Sequence, residues 1–373
     1  MRTSRFRLFL CCAVSSFLAT AIAAPAASPP PYSPGGLVVS PAGYTVERLF
    51  GVDWGAGHGQ VGQRRLDSRG AISYSPRNLS VSSEGRIVIG DEVNERILIF
   101  SADGALLKSF PAAYGGYYMS VDTEGRILTL FRRPLAPFAV AIYEEGRVVE
   151  EIEVPPMLRN PVGDRVRRDS GGRLFVQYRT TYQYLTKLSA PQTLEKSMCN
   201  YVTEKRWGYT TACRTARLGV EKPGVVGHRS GRIYQIADDG RISVVEPDGA
   251  PRQEIDVPAL VAGAFGSEAG ANPATKSAVG IIGDDASGSI IAIVRTRLRT
   301  PTVNPWTLVV FSPDNTIRLA MDLYPCAIHY GTEAQFYPST LTVTPDGSIY
   351  QLCSEGEQGV QIICIKPPPS DTK

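Results

Sequence analysis

Histidine is scarce in this chain of 373 residues: there are three, at His58, His228 and His329. Three imidazoles so far apart do not announce a histidine-held metal centre, and no cysteine spacing resembles a zinc site. Charge of one sign is also missing, with 39 basic residues against 36 acidic ones. A nucleic-acid partner needs an electrostatic excess, so that class is set aside. Beyond the N-terminus no apolar run is long enough to span a bilayer, and no stable membrane insertion is expected of the mature chain. No Gly-Lys-Ser/Thr follows any glycine cluster, which removes the phosphate loop of a nucleotide enzyme.

The N-terminus is the exception to this evenness. Met1–Arg7 carries three arginines and no acid, "LFLCCAVSSFLATAIA" follows, and Ala21-Ile22-Ala23 is a small-x-small cleavage site. Residues 1–23 therefore read as a secretory signal, and the product as secreted or periplasmic. Three bases leave with it, so the 36 acidic residues then face an equal number of bases. Residues 24–36, around "PAASPPPYSP", form a proline-rich, extended tether. In an oxidising compartment disulfides are the default for the remaining cysteines. Cys199 with Cys213 would close a short loop, Cys353 with Cys364 could face each other across a hairpin, and Cys326 is left over.

What the chain has in quantity is turns. One form recurs six times, as "SEGRIVI" (83–89), "TEGRILT" (123–129), "SGGRLFV" (170–176), "RSGRIYQ" (229–235), "ASGSIIA" (286–292) and "PDGSIYQ" (345–351). Each is a glycine, then Arg or Ser, then a β-rich apolar run. Glycine supplies the positive φ of a tight turn between antiparallel strands. A second turn follows most of them, at 102–108, 144–150, 247–253 and 313–319, with a degenerate copy, "APQTLEK", at 190–196. The last unit has no room for this second turn, but "PAGYTVERLF" (41–50) has the same form. Four short strands per unit, repeated radially, make a β-propeller. The expected fold is all-β, a six-bladed propeller over residues 37–367, closed by the N-terminal strand 37–50 and followed by a short tail, 368–373.

In the first unit, "IGDEVNERILIFSADGALLKSF" (89–110) resembles an NHL repeat through Asp91, Asn94, Arg96, Ile97 and Phe100. "WGAGHGQVG" (54–62) resembles the glycine-rich join that precedes an NHL blade. The resemblance implies a six-bladed propeller in which Asp91 partners Arg96 across a hairpin. The glycine loop then reads as a hinge between blades, since a dinucleotide site would need a helix after it.

Function is expected on the rim formed by the b-to-c and d-to-a connections. That rim collects Arg132, Arg179, Arg206, Trp207, Arg297, Trp306 and Tyr330, a composition suited to binding. The expectation is a non-catalytic exported scaffold, without cofactor, binding a protein or a glycan or anionic ligand there. Residues 199–224 are placed in a d-to-a connection. The alternative is a metal-dependent lyase or lactonase at the channel mouth, with Ca²⁺ or Zn²⁺ near His58 and His329. Asp91, Glu92, Asn94 and Glu333 are the acids and amides on the same rim.

Overall fold

A computed structural model describes residues 38–39, 43–65, 72–74, 76–112, 118–132, 138–154, 165–169, 171–178, 181–185, 192–193, 214–215, 222–227, 230–265, 279–295, 306–324, 329–330, 333–334, 338–355 and 359–369. These residues build a β-propeller of small antiparallel sheets. The first sheet runs Asn78–Val81, Ile87–Asp91, Arg96–Phe100 and Leu106–Pro111. The second runs Tyr118–Val121, Ile127–Arg132, Phe138–Glu144 and Arg147–Glu153. The third, fourth and fifth begin with the inner strands Arg165–Arg168, Val225–Val226 and Val279–Asp284. In the last sheet, Leu341–Val343, Ile349–Glu355 and Gly359–Lys366 are joined by Thr45–Val52 from the other end of the chain. That pairing runs from Thr45 opposite Lys366 to Val52 opposite Val360, as the turn at 41–50 predicts.

Six equal four-stranded units is the part of the expectation that changes. Five sheets have four strands, whereas the fifth in order has five, because Val38–Val39 pairs onto the outer strand Ile317–Asp322. Among the described residues an α-helix, Val257–Phe265, interrupts the all-β pattern after the fourth sheet. Asp256 caps it by accepting from the Ala259 N–H at 3.0 Å. Val257 and Val261 bury its apolar side against the core shared by the fourth and fifth sheets.

The recurring turns explain why the strands start where they do. Gly85, Gly125, Gly172, Gly231, Gly288 and Gly347 all adopt φ between +71° and +85°. In the second turn, Gly104, Gly146 and Gly249 also have positive φ, between +78° and +95°, and Asn315 at φ 66° replaces glycine in the fifth sheet. Asparagine tolerates this region better than other side chains. In the second and third sheets an aspartate closes the first turn. Asp122 and Asp169 each accept a backbone N–H four residues on and the Nε–H of Arg126 or Arg173.

The third unit has no glycine at its degenerate second turn, and there the chain departs from the repeat. Its fourth strand is only Lys222–Pro223, paired with Thr181–Tyr184. The segment between Leu185 and Lys222 therefore links the third strand to the fourth. The d-to-a placement of residues 199–224 is corrected accordingly: the two ends of the segment leave the sheet at the end opposite the expected rim.

Hydrophobic clusters lie between sheets rather than within them. Val88, Ile97 and Phe110 of the first sheet pack with Met119 and Ile127 of the second. Val52, Leu352 and Ile362 of the last sheet pack with Leu79 and Ile87 of the first. Inner strands would otherwise present unpaired edges, and side chains satisfy them. Ser80 Oγ accepts from Val121 N at 3.0 Å, and Ser120 Oγ donates to Val166 O. Gln177 accepts from Val226 N and donates to Gly224 O, both at 3.2 Å.

Cys353 and Cys364 are buried thiols and not a disulfide. Across their hairpin Cys353 faces Gln361 and Cys364 faces Tyr350. Positions 361 and 364 differ by an odd number, which puts the two sulfurs on opposite faces of the sheet. Cys199, Cys213 and Cys326 lie outside the described residues.

Candidate functional site

The glycine loop at 54–62 is held by the first sheet. Asp91, fully buried, accepts from Gly62 N at 2.9 Å, from Asn94 Nδ2 at 2.8 Å and from Arg96 Nε at 3.1 Å. Arg96 in turn donates to the carbonyls of Ala56, Gly57 and Gln60. A loop that turns three carbonyls toward a guanidinium has its N–H groups poorly placed for a phosphate. The Asp91–Arg96 pair is present as expected, and it fastens the join to the hairpin.

Glu92, the next residue, is different in kind. It leaves the end of Ile87–Asp91, in the b-to-c turn, and its side chain is only 5% exposed. Its Oε1 accepts from Asn78 Nδ2 at 3.3 Å, and its Oε2 stands 3.9 Å from Arg77 Nε. Oε2 is buried without a hydrogen-bond partner among the described residues. Loss of water raises its pKa from 4.5 to about 7, against the opposing pull of Arg77 and with a smaller upward push from Asp91. Glu92 is thus close to half-ionised at neutral pH, where a carboxyl both takes and gives a proton. Arg77 is tied to the last sheet through Ser339 Oγ, which donates to Arg77 O at 2.7 Å.

Asn78 opens the inner strand Asn78–Val81, and the next three residues line an axial cavity. Its walls include Ser80, Ser120, Thr342, Arg165, Arg167 and Arg168, drawn from the first, second, third and last sheets. Arg165 and Arg167 are 5% and 9% exposed and both donate to Ile282 O on the fifth sheet. Arg168 has Asp122 at 3.5 Å. These arginines were not among the sequence candidates. The signal was "RVRR" on an inner strand, where the first two units place Asn78 and Ser80, or Tyr118 and Ser120.

Most of the candidate rim lies beyond what the structure describes. Arg179, Arg206, Trp207 and Arg297 lie outside the described residues, and of Arg132 and Tyr330 only the backbone is described. Trp306 is partly buried against the cluster of the fifth and last sheets. His58 is exposed in the glycine loop, while His228 lies outside the described residues. The strand His329–Tyr330 pairs with Glu333–Ala334 and its backbone packs against Ile72–Tyr74, on the approach to Arg77. Among the described residues no three His, Cys, Asp or Glu side chains gather to hold a metal.

No family model matches the chain, and neither does any curated protein. Solved structures do resemble it. A streptogramin B lyase is 13% identical, covers 87% of this chain and 98% of its own, with a TM-score of 0.42. Virginiamycin B lyase from Staphylococcus aureus is 13% identical over 87% of this chain and 99% of its own, at a TM-score of 0.39. A catalytically inactive variant of that lyase with quinupristin is 10% identical over 86% and 99%, also at 0.39. At this distance no residue of theirs carries over to this chain. The three are lyases or a lyase variant by name, which goes against the expectation of a non-catalytic scaffold and agrees better with its lyase alternative.

Proposed function

We propose that this chain is an enzyme that opens esters by elimination, a lyase, with Glu92 as its proton-transfer group. The observation that carries the reading is the buried Glu92 oxygen in the b-to-c turn of the first sheet, without a hydrogen-bond partner among the described residues, beside the Arg77 cation. As carboxylate, Glu92 removes a proton from the carbon next to the one bearing the ester oxygen. The C–H electron pair becomes the new C=C bond, the C–O bond breaks, and the released carboxylate is drawn to Arg77. Protonated Glu92 then returns its proton to solvent. One carboxyl and one cation suffice for this sequence, whereas a divalent-ion cage needs several oxygen ligands. The same reading takes the sheets as a ring of six, NHL-like, closed by Thr45–Val52, and the chain as exported after removal of residues 1–23.

The test is incubation of the protein, expressed from residue 24, with small lactones and with quinupristin as probes, followed by mass spectrometry. Elimination opens a ring without changing its mass, while hydrolysis adds one water. Turnover that rises with pH through about 7 and falls roughly 100-fold in Glu92→Gln is expected. Turnover in Glu92→Gln at the full rate would overturn the assignment.

A further inference from the structure

Glu92 has two charged neighbours, Arg77 and Asp91, and both are tied to the last sheet. Ser339 Oγ, in the turn Pro338–Thr340, donates to Arg77 O. Asp91 is reached by a strap, residues 53–62, which leaves the outer strand Thr45–Val52 and crosses to the first sheet. Val61 beds the strap in the core between the two sheets, and its N–H donates to Asp53 O at 2.9 Å. The far end fits closely: a Cβ on Gly62 would stand 2.4 Å from Val93 Cβ and 2.8 Å from Asp91 Oδ1. Between these ends residues 56–58 are exposed. There the strap is held by the Arg96 fork on the carbonyls of Ala56, Gly57 and Gln60, and by Asn94 Nδ2, which donates to Gly55 O at 2.9 Å.

The consequence for Glu92 is electrostatic. A like charge holds a neighbouring carboxyl in its neutral form, and Asp91 is the adjacent residue. Four donors compensate Asp91: the Gly62 N–H, the backbone and side-chain N–H groups of Asn94, and the Arg96 guanidinium. One of them belongs to the strap, and Arg96 is braced by it. We propose that the strap controls the site, with Arg96 as a positioning residue that keeps the Asp91 charge off Glu92 and leaves Glu92 free to exchange its proton. With the strap released, Asp91 faces Glu92 less compensated, Glu92 stays protonated, and the base is lost until the pH is raised. The inference rests on the reading of Glu92 as the proton-transfer group.

The experiment is carbon-13 NMR titration of the Glu92 carboxyl in the full mature chain, beside the pH profile of turnover on the same probes. Arg96→Gln is expected to raise the proton affinity of Glu92 roughly tenfold and to move the rising limb of turnover to higher pH with it. Arg96→Lys keeps the charge but not the fork, and a smaller shift in the same direction is expected. Gly62→Ala displaces the strap without removing a charge and is expected to shift both readouts the same way. Asp91→Asn removes the charge and is expected to move the midpoint to lower pH, a reversal that loss of stability alone does not produce. An unmoved midpoint in the Arg96 variants and in Gly62→Ala, with only the melting temperature lowered, overturns the proposal and leaves the strap as a structural tie. A moved midpoint in a chain that turns over no probe upholds the coupling and overturns the lyase reading instead.

Discussion

At the scale of single residues, Glu92 and Asp91 show how neighbours in sequence divide labour. Asp91 is surrounded by donors and is used up in holding the glycine loop. Glu92 has one amide donor and one buried oxygen without a hydrogen-bond partner among the described residues. Its raised pKa has a sign that can be worked through. The folded state holds the proton more tightly than the unfolded chain, so the associated stability is complete below pH 4.5 and gone once pH passes about 7. A shift of that size corresponds to about 3 kcal/mol. Urea unfolding at pH 4.5 and pH 8 is expected to show a drop of that order in the wild type. The drop is expected to be much smaller in Glu92→Gln, whose side chain does not titrate. Asp91→Ala strands Arg96 and the Gly62 N–H, and a loss of about 3 kcal/mol in the same measurement is expected. The sequence shows Glu92 to be an acid on the rim. That it is buried could not be read there, because burial comes from Arg77, Asn78 and Ser339, brought in from another strand and another sheet.

Elements were the most legible scale. The turn glycines mark strand ends because only a residue at ease with positive φ closes these hairpins, and every one of the six has it. Their substitutions are expected to separate by surroundings. A Cβ at Gly85 meets nothing within 4 Å, so Gly85→Ala carries only the backbone strain, about 1 kcal/mol. At Gly104 a Cβ would lie 2.6 Å from Phe50, a residue of the last sheet. Gly104→Ala is therefore expected to be clearly the more destabilising of the two in denaturant melts. Where turn chemistry weakened, reading failed. "APQTLEK" has no glycine, and the chain inserts about 35 residues there before the fourth strand of its sheet. The helix Val257–Phe265 is short and apolar all round, so it lacks the polar face that betrays a surface helix. The Cys353–Cys364 pairing failed on parity, which spacing alone does not reveal without the register.

For the whole molecule, the pairing of Thr45–Val52 with Gly359–Lys366 ties one end of the chain to the other. Val52 also enters the core between the last and first sheets. Removal of residues 1–33 is expected to leave the melting temperature of the propeller unchanged, as the contacts of the remainder form a unit of their own. Removal of residues 1–53 deletes the outer strand of the last sheet and opens that core. Loss of a single cooperative transition in calorimetry is expected, and two equal melting curves would contradict the pairing. Radial architecture was legible because it is written locally, once per unit. The site was not, because Glu92 is buried only once Arg77 and Asn78 fold onto it from a neighbouring strand, and Arg165 and Arg167 meet Ile282 from a sheet far away in the chain.

Direct titration of Glu92 bears most closely on the account as a whole. Carbon-13 NMR of the glutamate side-chain carboxyls, assigned by difference from Glu92→Gln, reads its protonation from pH 4 to 9. A midpoint near 7 is expected. A midpoint near 4.5 would mean an ordinary solvated carboxylate, and the proton-transfer role would go with it.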